Sequence, residues 1–485
     1  MASAIDGLKP EPVWRYFAEI AKIPRPSKHE ERMTKYVVET AKTLGLTATT
    51  DKYGNVVVRK PASPGKEGAK MICLQGHLDM VPEKNKDKVH DFLKDPIELV
   101  RKGNMLMANG TTLGADNGIA VATMLAIMED KNLVHGPLEF LFTVDEETGL
   151  TGATYLKGTF LQSRTMMNLD SEEEGSIYVG CSGGKDCAGT WKGAYQKAPG
   201  RTAPMLLTVK ALRGGHSGLE IDKNRGNAIK IITRVLLRLS ELGVRVSSIN
   251  GGNKRNAIPR EAEALVFVPA AKASAVKKLV ATLNGSLKAE IASVDPDLAV
   301  TVAPAKDVKK AKVFSPALQA DLLRTISALP HGVIKMSSDI PGLVETSTNV
   351  AVVTTDAKAV TLGTSQRSSV ASEIVEINET VRAIFAMGGA SVKVGDGYPG
   401  WKPNLDSAIL KTAKATYQQL YGKQSEIKAI HAGLECGIIG EKFPGMDMIS
   451  FGPTMEGVHS PDEKLHIDTV EKFWAFLLAI LKNAN

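Results

Sequence analysis

Four apolar runs in this chain each end on an acid or a histidine, and that pattern restricts the fold more than any other feature. Residues 71–75 lead into Gly76-His77-Leu78-Asp79, residues 138–144 into Asp145-Glu146-Glu147, and residues 166–169 into Asp170. Residues 448–451 lead into a glycine and proline loop that carries His459. Short apolar runs bounded by turn residues predict strands. Between them lie helical patterns. In the first, Ser27 and Glu30 are spaced as a capping box, Met33, Tyr36, Val37 and Leu44 form an apolar stripe, and Gly45 suits a C-terminal cap. Another runs over residues 117–129. Strands alternating with helices predict an α/β layer with helices covering the sheet. Ligands of open α/β sheets bind at the carboxyl ends of the strands, where all four runs deliver their polar residues.

A chain of 485 residues exceeds one ordinary core, so two or more domains are expected. Residues 183–204 are rich in Gly, Lys and Ala and read as a crossover to a second domain. Strands over 206–212, 264–268 and 350–354 and helices over 227–242 and 274–293 follow. A second break lies at Val394-Gly395-Asp396-Gly397-Tyr398-Pro399-Gly400. Beyond it, helices over 406–421 and 469–481 resume the style of the first part. The expected plan is a catalytic domain made of residues 1–186 and 394–485, with residues 187–393 inserted. Hinges are expected near 183–184 and 395–400.

Composition narrows the function classes. Hydrophobic residues make up 43% and charged residues 23%, as in soluble globular proteins. No apolar run approaches the roughly 18–20 residues that span a bilayer, and the first residues lack a secretory pattern. A cytoplasmic protein with no membrane partner is expected. The net charge of +7 is scattered among acids, which argues against a nucleic-acid partner. The four cysteines form no Cys-x-x-Cys pair, so reduced thiols are expected and cysteine is not a metal ligand.

Taken singly, the polar positions are ambiguous. His77 with Asp79 could be a satisfied turn histidine, and Asp116 in "GADNGIA" could be a helix N-cap. Glu172, Glu173 and Glu174 read as solvated. Taken together, His77, His459, Asp116, Glu146, Glu147 and Asp170 at strand ends have the composition of a two-zinc hydrolase site. Three adjacent carboxylates in "DEE" also need a positive partner, and cations supply one. Asp145 has no assigned role.

At these residues the chain resembles the co-catalytic zinc aminopeptidase-like hydrolases, which include aminoacylases and dipeptidases. "GHLDMVP", "GADNGIA", "DEETGLTGA", "LDSEEEG" and "HSPDE" carry the resemblance, with "RGGHSGLEIDKNRGNAI" in the middle segment. "HAGLECG" and "GPTMEGVHSPDE" are similar to the branch of bacterial aminoacyl-histidine dipeptidases. The resemblance implies a mixed sheet flanked by helices and an inserted α+β lid; the length of residues 187–393, about twice the family's minimal lid, suggests two similar lobes. It implies two Zn²⁺ per subunit, with Co²⁺ or Mn²⁺ as substitutes. His77 and Asp170 would hold one ion, Glu147 and His459 the other, and Asp116 would bridge. Asp79 would orient His77, and Glu146 would be the general base. A cis peptide at Asp116–Asn117 is also implied. His216 is the candidate oxyanion donor and Arg367 the candidate for a dipeptide's carboxylate, because a guanidinium fork matches a carboxylate. Asn256, Asn349 and His431 are candidate polar neighbours, and Glu435 a candidate for the free amine. The expected substrate is a dipeptide, Xaa-His types included, and the expected assembly a homodimer. An amidohydrolase of N-acyl amino acids, or a catalytically silent peptide-binding relative, remains open.

Overall fold

The computed structural model describes residues 4–306, 308 and 312–484. It divides into two compact units. Unit 1 comprises residues 1–180, 403–429 and 434–485, and unit 2 comprises residues 181–402 and 430–433.

The main sheet of unit 1 has eight strands. In spatial order they are Thr47–Thr50, Val56–Lys60, Leu138–Thr143, Ile72–His77, Thr165–Asn168, Asp447–Ser450, Ser176–Cys181 and Glu426–Ile430. Ile72–His77 pairs in parallel with both neighbours, and Asp447–Ser450 pairs in parallel with Thr165–Asn168. The outer pairings on the Val56–Lys60 side are antiparallel, so the sheet is mixed. All six residues of Ile72–His77 and of Leu138–Thr143 are buried. That is the mark of strands covered on both faces, and it explains their unbroken apolar sequence. Helix Ala115–Glu129 is apolar on all sides and almost wholly buried, as a helix without a solvent face must be. The expected helices over 406–421 and 469–481 are present as Ala408–Tyr421 and Ile467–Asn483.

Unit 2 is built on one antiparallel sheet. Its strands run, in spatial order, Ala299–Pro304, Thr202–Lys210, Ala262–Pro269, Arg245–Gly251, Val344–Thr355, Ala359–Ser368, Gly183–Lys192 and Ser391–Val394. Each half of the sheet is a β-α-β-β-α-β unit. In the first half the helices are Ala228–Ser240 and Ala273–Ile291, and in the second Pro316–Ala328 and Ala371–Met387. Counted outward from the middle, both halves place their second, third, first and fourth strands in that order. They meet at the pairing of Gly251 with Val353. A single apolar core runs beneath both halves, from Leu207 and Val235 to Leu362 and Phe385.

Two local readings of the sequence are corrected. Residues 183–192 are not a crossover segment but an inner strand paired along its length with Ala359–Ser368. The glycine content that suggested a linker serves packing: a Cβ at Gly189 would run into the Phe385 ring. Ser27 and Glu30 do not form a capping box. The helix begins at Glu31 with no side-chain cap, and both residues are engaged beneath the candidate site.

Candidate metal centre and a second polar cluster

The site in unit 1 starts from strand ends. His77 closes a fully buried strand, and its imidazole is 1% exposed. Asp79 Oδ1 lies 3.2 Å from His77 Nδ1, which leaves Nε2 directed at two carboxylates. Asp116 Oδ1 is 3.0 Å from that nitrogen and Asp170 Oδ1 is 3.4 Å from it. The other oxygen of Asp116 is 3.1 Å from His459 Nε2, and Glu147 Oε2 is 2.9 Å from the same nitrogen. Asp116 therefore reaches both histidines, one with each oxygen. Its backbone leaves helical geometry, and the Asp116–Asn117 peptide is cis. Asn117 Oδ1 accepts from His77 N–H and its Nδ2 donates to Leu169 O, which ties the loop to two strand ends.

The "DEE" segment is not strand. Leu138–Thr143 stops before it, Asp145 takes a left-handed turn at φ 51°, and Glu146–Gly149 is a short helical turn. That turn aims two backbone N–H groups at Asp79: Glu146 N donates to Oδ1 at 3.0 Å and Glu147 N to Oδ2 at 3.2 Å. Ser27 Oγ adds a third donor at 2.8 Å. Burial works to raise the Asp79 pKa, but His77, Ser27 and the Glu146 N–H outweigh it and bring it to about 2. Asp145 now has a place. Its carboxylate accepts from the Thr148 and Thr151 hydroxyls, and its N–H donates to Glu30 Oε1. It shapes the turn that presents Glu146 and Glu147.

Two of the carboxylates here resist ionisation. Burial first, and Asp116 among its neighbours, raise the Asp170 pKa to about 8. Burial, Asp170, Glu435 and Glu147 push Glu146 well above the ordinary range. Hydrogen bonds to Asp116 and Glu147 raise His459 to about 11. Donor atoms of His77, Asp116 and Asp170, and separately of Asp116, Glu147 and His459, lie within 4.8 Å of one another. Glu147 Oε1 is buried with no partner. Imidazole nitrogens with carboxylate oxygens, an orphaned buried oxygen and no thiolate fit a pair of divalent cations sharing Asp116. The four cysteines are buried and lie outside these groups. The Glu146 carboxylate makes no side-chain hydrogen bond or ion pair among the described residues.

The family follows from the sequence of this whole region. Residues 73–483 match the model of peptidase family M20/M25/M40. This chain belongs to that family. It is 44% identical over 481 residues to the cytosol non-specific dipeptidase of Escherichia coli (strain K12), covering 99% of each chain. Its structure is similar to the crystal structure of aminoacylhistidine dipeptidase from Vibrio alginolyticus. The TM-score is 0.92 at 42% identity, covering 100% of this chain and 98% of that one. Aminopeptidase PepT from Bacillus cereus, at 17% identity and TM-score 0.57 over 98% of this chain and 99% of that one, shares the fold.

Several groups in this M20/M25/M40 peptidase went unnoticed in the sequence. Glu463 of "HSPDE" is buried, and its two oxygens accept four consecutive backbone N–H groups. Oε2 takes Leu113 at 2.7 Å and Gly114 at 3.0 Å, and Oε1 takes Ala115 at 2.8 Å and Asp116 at 3.3 Å. One side chain from the His459 loop thereby fixes the Asp116 loop. Arg25, also buried, donates to Leu78 O at 2.9 Å, to Asp79 O at 2.7 Å and to Gly114 O. Its only sequence signal was a lone arginine between prolines. Glu173 and Glu174 are not merely solvated, as expected from sequence: Glu173 pairs with Lys428 and accepts from Tyr178, and Glu174 accepts from Tyr417 Oη. Glu435 is buried beneath the strand ends. Gln75 and Thr143 both donate to its Oε2 at 2.6 Å, Oε1 has no partner, and burial raises its pKa to about 7.

The other expected residues lie in unit 2. Gly218 N and Leu219 N donate to His216 Nδ1 at 3.2 and 3.1 Å, so the ring hydrogen sits on Nε2. Burial first, then Arg367, lowers the His216 pKa to about 4 and keeps the ring neutral. Arg367 is 6% exposed and its Nε has no partner, while Nη1 donates to Tyr398 Oη at 2.9 Å. His431 Nε2 is 2.7 Å from Ser347 Oγ. Asn349 Nδ2 donates to Ala257 O at 2.8 Å, leaving its Oδ1 buried and unpaired. Asn256 is exposed and lines the same cavity of about 470 Å³ as Arg367.

Proposed function

We propose that this chain is a metal-dependent dipeptidase that hydrolyses the peptide bond of unblocked dipeptides, Xaa-His dipeptides included. The observation that carries the reading is the arrangement around Glu146. Two histidines and three carboxylates converge on one another, and a fourth carboxylate beside them is held without a partner of its own.

Two divalent cations, with zinc the preferred choice and cobalt or manganese as substitutes, would supply Lewis acidity for water and for the scissile carbonyl. His77 and Asp170 would hold one, Glu147 and His459 the other, and Asp116 both. Glu146, with its pKa raised by burial, takes a proton from the attacking water and passes it to the leaving amine. Asp79 holds His77 from behind. His216, neutral with its hydrogen on Nε2, donates to the carbonyl oxygen as negative charge develops there. Arg367 receives the dipeptide's carboxylate, with Asn256, Asn349 and His431 as polar neighbours, and the unpaired Glu435 Oε1 receives the free amine. In this proposal residues 187–393 serve as a lid domain. A homodimer working in the cytoplasm completes the reading. No helix among the described residues is long and apolar enough to cross a membrane.

The test is a panel of free dipeptides and N-acetyl amino acids, assayed before and after chelation and after return of Zn²⁺. Hydrolysis of the dipeptides that disappears on chelation and returns with metal is expected. Hydrolysis confined to the N-acetyl compounds would make the chain an amidohydrolase instead, and dipeptide turnover that survives full metal removal would sink the reading.

A further inference from the structure

Tyr398 lies in the glycine and proline stretch expected from sequence to be only a hinge. Its backbone is fixed, exchanging hydrogen bonds with Gly184 at 2.9 and 3.0 Å. Its ring lies in a slot between two glycines. A Cβ on Gly184 would come within 2.6 to 2.7 Å of the ring and its oxygen, and one on Gly433 within 2.7 Å of the ring. The phenol is therefore held in one position by main chain on both sides. Its oxygen accepts the Arg367 Nη1 hydrogen at 2.9 Å. A phenol that accepts in this way still has its own hydrogen to donate, and no hydrogen bond from it to another side chain is found among the described residues. Arg367 and Tyr398 face the same cavity of about 470 Å³. Arg367 is buried with an unpartnered Nε, so the guanidinium keeps donor capacity too.

We propose that Tyr398 is a substrate-binding residue, completing with Arg367 a clamp for the C-terminal carboxylate of the peptide. The phenol oxygen steadies the guanidinium through Nη1, and the phenol hydrogen goes to a carboxylate oxygen that the guanidinium also binds. This rests on the reading of Arg367 given above. It adds that the clamp is aimed by a ring whose place depends on Gly184 and Gly433. Burial outweighs the nearby Arg367 and raises the phenol pKa, so the hydrogen stays in place at neutral pH.

The test compares wild type, Tyr398→Phe and Arg367→Met in the metal-loaded enzyme. The probes are one free dipeptide, followed by KM and kcat, and the free amino acid released from its C-terminal side, followed as an inhibitor by Ki. Tyr398→Phe keeps the ring and removes the hydrogen bonds of its hydroxyl. A hydrogen bond to a charged group corresponds to about 10- to 100-fold in affinity, so Ki and KM are expected to rise together by about tenfold or more. A Tyr398→Phe enzyme whose Ki changes less than about threefold overturns the proposal, whatever happens to kcat. Arg367→Met separates the two layers. If it leaves Ki unchanged, the carboxylate reading of Arg367 itself is wrong; if it raises Ki and Tyr398→Phe does not, only the role of Tyr398 falls.

Discussion

Replacing Glu463 by glutamine probes how the Asp116 loop is held. The carboxylate presents two lone-pair pairs to four N–H donors, at 2.7 and 3.0 Å on Oε2 and at 2.8 and 3.3 Å on Oε1. Glutamine has one carbonyl oxygen and one NH2 group, so only two of those donors can keep an acceptor. The shorter pair, Leu113 and Gly114, should keep the oxygen, leaving the N–H groups of Ala115 and Asp116 facing another donor. A buried donor left unpaired costs about 1–3 kcal/mol. The Asp116 bond is long and counts for less. Burial also disfavours the Glu463 charge, raising its pKa despite the four donors, and glutamine relieves that cost. The net loss should be near 2 kcal/mol, or a fall in Tm of roughly 4–8 °C for a unit of this size. Because the displaced N–H groups belong to the loop that carries Asp116, affinity for Zn²⁺ should fall by about 10- to 100-fold. Thermal melting and a competition titration against a zinc chelator measure both. A Glu463→Gln protein with unchanged Tm and unchanged metal affinity would refute the claim that this side chain holds the loop.

Three further outcomes are expected. Glu146→Gln should lower kcat by about 10²- to 10⁴-fold while metal content stays at the wild-type level; turnover near wild type would exclude Glu146 as the proton carrier. Stripping metal should lower the melting temperature of unit 1, since a ligand at about 1,000 times its Kd stabilises by about 4 kcal/mol, and calorimetry with and without chelator would show it. His216 and His331 are held near pKa 4 and His431 near 3, in each case chiefly by burial. As pH falls from about 6.5 towards 4 the unfolded chain binds more protons than the folded one, so unit 2 should lose stability across that window. Melting curves that stay flat over this range would contradict that placement of the three rings.

The sequence made the strand ends legible because a fully buried strand writes an unbroken apolar run, and the residue that stops the run is conspicuous. His77, Glu147 and Asp170 stand out for that reason, His459 sits in the loop after the fourth run, and Asp116 is assigned through the resemblance; the structure brings their side chains together. The supporting groups did not stand out. Glu463 bonds only to backbone some 350 positions away, and backbone partners leave no mark on residue choice. Ser27 and Glu30 carried a local helix-cap pattern, yet the buried charge of Asp79 and the N–H of Asp145 draw them elsewhere. Residues 183–192 read as a linker because glycine is scarce in ordinary strands. Here the missing side chain at Gly189 makes room for Phe385, a requirement set by a helix almost two hundred residues later.

The two ends of the long segment of unit 2, residues 181–402, lie side by side. Cys181 pairs with Trp401, and Gly184 with Tyr398. Once folded, about 220 residues thus present themselves to the rest of the chain as a tight turn. Closing an unstructured loop of that length would cost about 3–4 kcal/mol more than closing one of a few residues. The interruption of unit 1 between residues 180 and 403 is therefore entropically small, provided unit 2 folds first. The long segment of unit 2 is thereby a cassette: a chain in which residues 182–400 give way to a short turn should still fold unit 1 and assemble its histidines and carboxylates.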